Sequence, residues 1–259
     1  MAKKAKEQDD KNFVKFGFEE ITTKSKRKKV SDLFDSISSD YDKMNDIMSL
    51  GSHRLWKKDL VERIEFFKTQ KKKKSVLDLA GGTGDVAFLI KNRWPKNNIT
   101  VFDLSKQMID IGILKSKNKG FTDNPIWISG DSALLPFKNS TFDVITCAFG
   151  IRNVAEVDLT LSECHRVLRP GGKILILEFF PVDKKPLNKI YDFYLKNVIP
   201  EIGRKVAKDK RAYQYLCDSI LTFHQPKEFT KILEKSGFQK IKIIKYFLGI
   251  AYLYIAFHI

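Results

Sequence analysis

The sequence predicts an α/β fold, a doubly wound and mostly parallel sheet with helices on both faces. Three observations carry this. Apolar runs that do not alternate, such as Ser75–Ala80, Phe142–Phe149 and Lys173–Phe180, recur with helical stretches between them, as strands buried on both faces do. A glycine-rich turn, Ala80-Gly81-Gly82-Thr83-Gly84, joins the first of these strands to a helix. The 259 residues, 43% of them hydrophobic, suffice for one large domain with a sizeable core.

In chain order, residues 1–28 are polar and read as a flexible basic arm. Glu7, Asp9, Asp10, Glu19 and Glu20 speak against a transit peptide, which is poor in acids. The domain proper then spans 29–259. Val30, Leu33, Phe34 and Ile37, spaced i, i+3, i+4, i+7, mark one apolar helical face. A second N-terminal helix covers about 53–67, with Trp56, Leu60, Ile64 and Phe67 on one side, and 69–74 is a linker, so N-terminal helices occupy 29–74. After the first strand come a helix at Asp85–Arg93, stopped by Trp94-Pro95, and a strand at Ile99–Leu104. A helix at Ser105–Lys115 follows, with Ser105 placed to cap it. Pro125–Ser129 and Phe142–Phe149 are the next strands. Val157, Leu161, Cys164 and Leu168 mark a helix that ends at Arg169-Pro170-Gly171-Gly172, before strand Lys173–Phe180. Residues 184–225, rich in tyrosine, read as a helical lid insertion. Pro226–Ser236 is a helix with proline in its first turn and Gly237 past its end. Strands at Phe238–Tyr246 and Ile250–His258 close the chain.

Forty-seven Lys and Arg against 31 Asp and Glu give a net charge of +16. The surplus is clustered, at Lys24, Lys26, Arg27, Lys28 and Lys29 and again at Lys71–Lys74. Solvated linkers are the plainest reading of such runs, and attraction to an anionic membrane surface is the next. Nucleic acid ranks last, because no helix-turn-helix, RNP or zinc-finger pattern accompanies the charge. No run approaches the ~20 apolar residues of a membrane span, and no signal-type apolar stretch follows Met1. Three cysteines without a C-x-x-C argue for a reducing compartment, and against a disulfide framework or a zinc site.

The glycine turn is the most informative stretch. Its glycines let backbone approach a ligand, and the helix behind offers free N–H groups. Gly82-Thr83-Gly84-Asp85-Val86-Ala87 fits the dinucleotide pattern G-x-G-x-x-A, with Asp103 about 20 residues on. A nicotinamide-dependent oxidoreductase is therefore one reading. But Asp103, at the end of the second strand, can take the ribose hydroxyls of any adenosine ligand. Gly130-Asp131-Ser132 stands at the end of the third strand, where an acid and a hydroxyl could meet an adenine edge, and Arg166–Lys173 precedes the fifth strand. Together these resemble the class I S-adenosylmethionine-dependent methyltransferases, whose fold is Rossmann-like.

The resemblance narrows upstream. Tyr41-Asp42-Lys43-Met44-Asn45-Asp46-Ile47-Met48-Ser49, then His53 and Trp56, closely resembles a signature of the ubiquinone/menaquinone biosynthesis C-methyltransferases (UbiE type). So does the stretch from Arg166 to Glu178, and so does Phe149-Gly150-Ile151-Arg152-Asn153-Val154. Phe16-Gly17-Phe18-Glu19 leans towards the ubiquinone members. There are departures: Arg169 for a lysine, Phe180 and Ala148 for serines, His224 for a proline. The resemblance implies a seven-stranded sheet with a reversed last strand. It implies methyl transfer from S-adenosylmethionine to a ring carbon of a polyprenylated quinol (a benzoquinol or demethylmenaquinol), with no metal. Cofactor contacts would be Gly81, Gly82, Thr83, Gly84, Asp103, Asp131 and Ser132.

Such chemistry needs a stabilised phenolate held in line with the methyl group. Arg152, just past the fourth strand, is the candidate to sit beside it. Its role is electrostatic, since arginine stays protonated; a surface salt bridge is the plainer alternative. Asn153 could orient a water there. Asp85 could accept a proton or pair with the methionine amino group. Tyr41 could wall the ring, although Tyr41 and His53 suit packing at a helix junction equally well. His165, on an amphipathic helix, reads as surface. A prenylated substrate lives in a membrane, so the enzyme is expected to be cytoplasmic and peripherally bound to the inner membrane of a bacterium. The basic arm and the lid aromatics Tyr191, Phe193, Tyr194, Tyr213, Tyr215 and Phe223 would supply the surface. A homodimer and other quinone-biosynthesis enzymes stay open as partners, as does a non-catalytic scaffold role.

Overall fold

The computed structural model describes residues 12–38, 45–46, 49, 51–65, 73–121, 125–182, 185–206 and 210–259. Seven strands make the main sheet: β3 (Ser75–Leu79), β4 (Asn98–Asp103), β5 (Ile126–Ser129), β6 (Phe142–Ala148), β7 (Leu168–Phe179), β8 (Gln239–Tyr246) and β9 (Ala251–Phe257). Their order is β5-β4-β3-β6-β7-β9-β8. β3 to β7 run parallel, and β9 lies antiparallel between β7 and β8. The reversed last strand implied by the resemblance is β9.

Alternate strand residues feed two cores. On β3, Val76 joins Trp56, Leu60 and Ile90, while Leu77 and Leu79 join Leu161, Cys164 and Phe229. The first core is covered by α2 (His53–Glu62), α3 (Asp85–Arg93) and α4 (Lys106–Asn118); the second by α5 (Val157–Val167) and α9 (Pro226–Lys235). Ser105 caps α4 as expected, its Oγ accepting from the Met108 amide at 3.1 Å. From β3 the chain runs out to β5 and returns to β6 on the other flank of β3. Strand order therefore reverses at β3 and β6, where the helices diverge and leave a crevice.

Several boundaries differ from the sequence expectation. Residues 13–28, assigned to a loose arm, carry a hairpin, β1 (Phe13–Phe16) with β2 (Glu19–Thr22), and the start of α1 (Thr23–Ser36). The turn is tight: Gly17 has φ +59°, and a Cβ there would meet Asp218 Cβ at 2.9 Å. Phe16 stacks on Tyr215 with ring centroids 4.1 Å apart, which docks the hairpin. Thr22 caps α1 by accepting from the Ser25 amide. Residues 1–11 of the arm lie outside the described residues. The basic run on α1 is not uniformly solvated either. Lys26 is buried, and burial lowers its pKa to about 8; Lys29 pairs with Glu19 at 2.9 Å.

Between β7 and α9 the chain forms α6 (Leu187–Phe193), a π-helical turn Tyr194–Val198, α7 (Ile199–Val206) and α8 (Lys210–Leu221). Its aromatics are not a common surface: Tyr191, Tyr213 and Tyr215 are buried, and Phe193 with Ile190 is exposed. β7 begins at Leu168, earlier than expected, because Phe142 pairs with Leu168 before a shift in register reaches Val144 and Lys173. His165 is half-buried, its ring 3.9 Å from that of His258. Phe180, a departure from the resembled signature, is buried among Phe223, Phe229, Tyr252 and Tyr254. All three cysteines are free and buried: Cys147 and Cys164 against the sheet, Cys217 on α8.

Candidate active site

The glycine turn leaves β3 in a backbone that few residues tolerate: φ is +49° at Ala80, +54° at Gly82 and +89° at Gly84. Gly81 has no room for a side chain, since a Cβ would lie 2.8 Å from Val101 and 2.9 Å from Asp78 Oδ2. Gly84 is closed by Trp127, whose ring a Cβ would approach to 2.4 Å. Gly82 is the opposite case. A Cβ there would meet nothing within 4 Å, and the residue borders a cavity that it shares with Asp103, Gly130, Asp131, Ser132 and Asn153. The missing side chain is space for a ligand.

Beneath the turn, Asp78 ties three elements together. Its carboxylate accepts from Thr146 Oγ1 on β6 at 2.8 Å and from the Ala87 amide on α3 at 3.1 Å. Burial raises its pKa to about 7. Asp103, at the end of β4, holds the turn from the side: Oδ2 accepts from the Gly82 amide at 2.8 Å, Oδ1 from the Ser105 amide at 2.9 Å. Burial raises its pKa to about 6, against the pull of those two donors and of the Leu104 amide. A carboxylate has about four acceptor sites, so capacity remains for a ligand hydroxyl.

The predicted contacts converge here. Asp131 and Ser132 follow β5 on the cavity wall, with Ser132 Oγ 3.2 Å from Thr160 Oγ1. Thr83 is buried and accepts from Lys115 Nζ at 2.9 Å. Asn153 reaches the same cavity with its Oδ1 buried and unpartnered. Asp85 begins α3 and pairs with Lys57 at 2.9 Å beside the turn. Tyr41 lies outside the described residues.

Arg152 is placed differently from the expectation. It is buried, its Nη1 2.5 Å from Glu178 Oε1 and 2.9 Å from the Phe149 carbonyl, its Nε 3.1 Å from Ser219 Oγ. Glu178 has no exposure at all and also accepts from the Arg152 and Phe179 amides. Burial of that carboxyl costs enough that the guanidinium is held to it. The charge at 152 is thus paired with Glu178 and is not a surface bridge, while the residue also borders a cavity between the hairpin and α8.

Sequence reasoning missed two contributors, Arg27 and Lys57, and left a third, His53, open between packing and function. Arg27 lay inside the basic run, yet its Nε is 2.7 Å from Asp131 and its Nη2 2.5 Å from Glu156, closing the cavity. Helical spacing was the signal, since Arg27 precedes Val30, Ser31 and Phe34 at i+3, i+4 and i+7 on the cavity face. Lys57 is buried beside Asp85. His53, buried on α2, is held by Asp46 Oδ1 at 2.9 Å from Nε2, and its Nδ1 has no partner. Burial, then Lys57, depresses its pKa, so the ring is neutral at pH 7.

Residues 22–258 match the ubiE/COQ5 methyltransferase family. The chain belongs to that family. The ubiquinone/menaquinone biosynthesis C-methyltransferase UbiE of Roseobacter denitrificans is 40% identical, across 95% of this chain and 97% of the relative. The mitochondrial 2-methoxy-6-polyprenyl-1,4-benzoquinol methylase of Bos taurus is 39% identical across 87% and 78%. Among solved structures, a possible histamine N-methyltransferase of Thermotoga maritima superposes with a TM-score of 0.60 over 89% of this chain and all of that one, at 16% identity. That likeness concerns the fold. In this ubiE/COQ5 family member, the open space at Gly82 and the Asp103 carboxylate beside it fit the adenosine of S-adenosylmethionine. Asp103 would hold its ribose, and Asp131 and Ser132 would face its adenine. Among the described residues no cluster could hold a metal ion, and no helix is long and apolar enough to cross a membrane.

Proposed function

We propose that this chain methylates a ring carbon of a polyprenylated quinol in ubiquinone or menaquinone biosynthesis. The observation that carries the reading is Gly82 opening onto the cavity directly beside Asp103, in a chain of the ubiE/COQ5 family. S-adenosylmethionine, when bound, supplies an electrophilic methyl group. The chain's residues position the acceptor and manage its proton. Phe149 and Phe179 stack with centroids 4.5 Å apart, and Trp56 leans on both, an apolar wall beside the turn. The ring hydroxyl must lose its proton for its neighbouring carbon to attack. His53 Nδ1 is a buried, unpartnered acceptor whose tautomer is set by Asp46, and in this reading it takes the proton. Asn153 offers an unpartnered carbonyl on the cavity side. Arg152 acts indirectly: paired with Glu178, it fixes the loop that presents Phe149 and Asn153. The prenyl tail requires contact with a bilayer. Exposed Ile190 and Phe193 on α6 supply apolar surface, and exposed Lys24 and Lys28 on α1 supply charge.

The test is transfer of labelled methyl from S-adenosylmethionine to short-chain demethylated benzoquinol and naphthoquinol by the purified chain, with mass spectrometry of the product. A ring C-methylated quinol supports the reading. Cofactor binding with no transfer to either acceptor would leave the scaffold reading in its place.

A further inference from the structure

Lys26 is a buried charge without a partner. It lies on the inward stripe of α1 with Thr23 and Val30, and is 7% exposed. Among the described residues no hydrogen bond or ion pair reaches its ammonium. Burial lowers its pKa to about 8, so the group still carries its charge at pH 7. Lysine is rarely buried, and an unpaired buried charge destabilises a fold. Stability does not explain the residue.

The cavity beside it does better. Lys26 borders an open cavity of about 970 Å3 between the hairpin, α5 and α8. Three carboxylates border the same cavity, and each is engaged elsewhere: Glu156 with Arg27 at 2.5 Å, Asp158 with Lys235 at 3.7 Å, Glu228 with the Gln225 amide at 3.0 Å. Arg152, the other buried cation there, is held by Glu178. Val14, Val157, Tyr215 and Phe223 add apolar surface.

This cavity adjoins the one beside Gly82. Arg27 and Ala155 border both, and Arg27 bridges them, with Asp131 on one side and Glu156 on the other. It also reaches Arg152, which bonds the Phe149 carbonyl at 2.9 Å and lies over the Phe179 ring. Those two rings form the apolar wall assigned above to the acceptor. Methyl transfer leaves one charge to be met here, since the acceptor oxygen is an anion once its proton has gone. An ammonium in a partly desolvated cavity favours the ionised form of a phenol. Apolar walls with one uncompensated cation complement an aromatic ring with one ionised oxygen. A prenyl tail needs no cation, and the zwitterionic end of S-adenosylmethionine needs an anion as well.

We propose that the acceptor ring enters this second cavity and that Lys26 binds its ionised ring oxygen. The proposal rests on the methyltransferase reading and adds a residue to it. Lys26 is a binding residue that selects acceptors by their hydroxyl, while the proton itself goes to His53 Nδ1.

A coloured phenol tests this without turnover. The probe is 2-methoxy-4-nitrophenol, which turns yellow on ionisation, added to the full chain with S-adenosylhomocysteine at a pH of about 6. The unaltered chain should raise the yellow, ionised fraction. Lys26→Met should weaken binding of the ionised probe by about tenfold or more, the usual loss for a bond to a charged group, and leave the Kd of S-adenosylhomocysteine within about threefold. Lys26→Arg, which keeps the charge, should recover part of the loss and guards against a folding defect in Lys26→Met. An ionised fraction that the unaltered chain does not raise, or that Lys26→Met leaves as it was, would overturn the proposal. So would an equal loss of probe and S-adenosylhomocysteine, which would make Lys26 a structural residue. Displacement of the probe by about an equal concentration of inorganic phosphate would assign the cavity to a free anion and also overturn it. If the unaltered chain bound no S-adenosylhomocysteine, the methyltransferase reading itself would fail, and the acceptor role of Lys26 with it.

Discussion

Replacing Asp103 with asparagine tests the adenosine site most directly. In the structure both carboxylate oxygens already accept one backbone N–H each, from Gly82 at 2.8 Å and Ser105 at 2.9 Å. Asparagine has one acceptor oxygen, so its NH2 must face one of those N–H groups, and one ribose hydroxyl loses its acceptor. Hydrogen bonds to charged groups contribute about 1.5–3 kcal/mol, so Asp103→Asn should raise the cofactor Kd about 10- to 150-fold. A second signature follows from titration. The free carboxyl has a pKa of about 6, raised chiefly by burial. Ribose hydroxyls donate to the ionised form and lower that pKa on binding. Binding therefore releases a proton, and affinity falls as pH drops below about 6, by up to about tenfold per unit. Calorimetry in two buffers of different ionisation enthalpy reads this: roughly half a proton released at pH 6, almost none at pH 8. Asp78, near 7, titrates close by, but its oxygens are taken by Thr146 and Ala87. Proton release that survives Asp103→Asn would refute the reasoning and move the linkage to Asp78. So would a variant of unaltered affinity.

Other expectations follow from the same geometry. Arg152→Met strands Glu178 as a buried charge and should cost about 3–5 kcal/mol in urea unfolding, with part recovered in the double variant Arg152→Met/Glu178→Gln. Gly84→Ala drives a Cβ into Trp127 at φ +89°; a loss of stability of about 1–3 kcal/mol and a shifted indole emission are expected. Lys26→Met should stabilise. The folded pKa of about 8 lies below the ordinary lysine value of 10.5, so between these values the unfolded chain holds more protons and the native protein gains stability as pH rises. The gain from Lys26→Met, about 3 kcal/mol at pH 7, should therefore shrink towards pH 10.5 in thermal melts. His53→Gln should lower kcat and abolish the acidic limb of its pH profile, with cofactor Kd unchanged; an unaltered profile would remove His53 from proton transfer.

The sheet was legible because buried parallel strands are continuous apolar runs, and Val76-Leu77 or Val144-Ile145 can be little else. The hairpin was not: Phe13-Val14-Lys15-Phe16 is short and charged, and what holds it, Phe16 on Tyr215, lies about 200 residues away in sequence. Lysine-rich composition hid Lys26 and Arg27, although helical spacing puts Arg27 on the same face as Val30 and Phe34. Arg152 could be found from its motif, but its partner could not. Glu178 ends a second motif, and only the parallel register of β6 and β7, with Ala148 opposite Leu177, brings the two together. Lys57 was masked by its neighbour Trp56, since a stripe that includes a tryptophan reads as packing alone.

The three buried thiols make the molecule its own gauge of partial opening. Burial pushes the Cys147 and Cys164 thiols far up and the Cys217 thiol to about 12, so none reacts as a thiolate in the closed protein. Cys147 and Cys164 are locked by strands and by α5, whereas Cys217 is covered by the packing of α8 against its neighbours. An alkylating pulse that marks Cys217 ahead of the other two would record the α6–α8 segment lifting while the sheet stays intact. Ligand that slows only that reaction would show that the segment closes over an occupied site, and would give a rate for the closure.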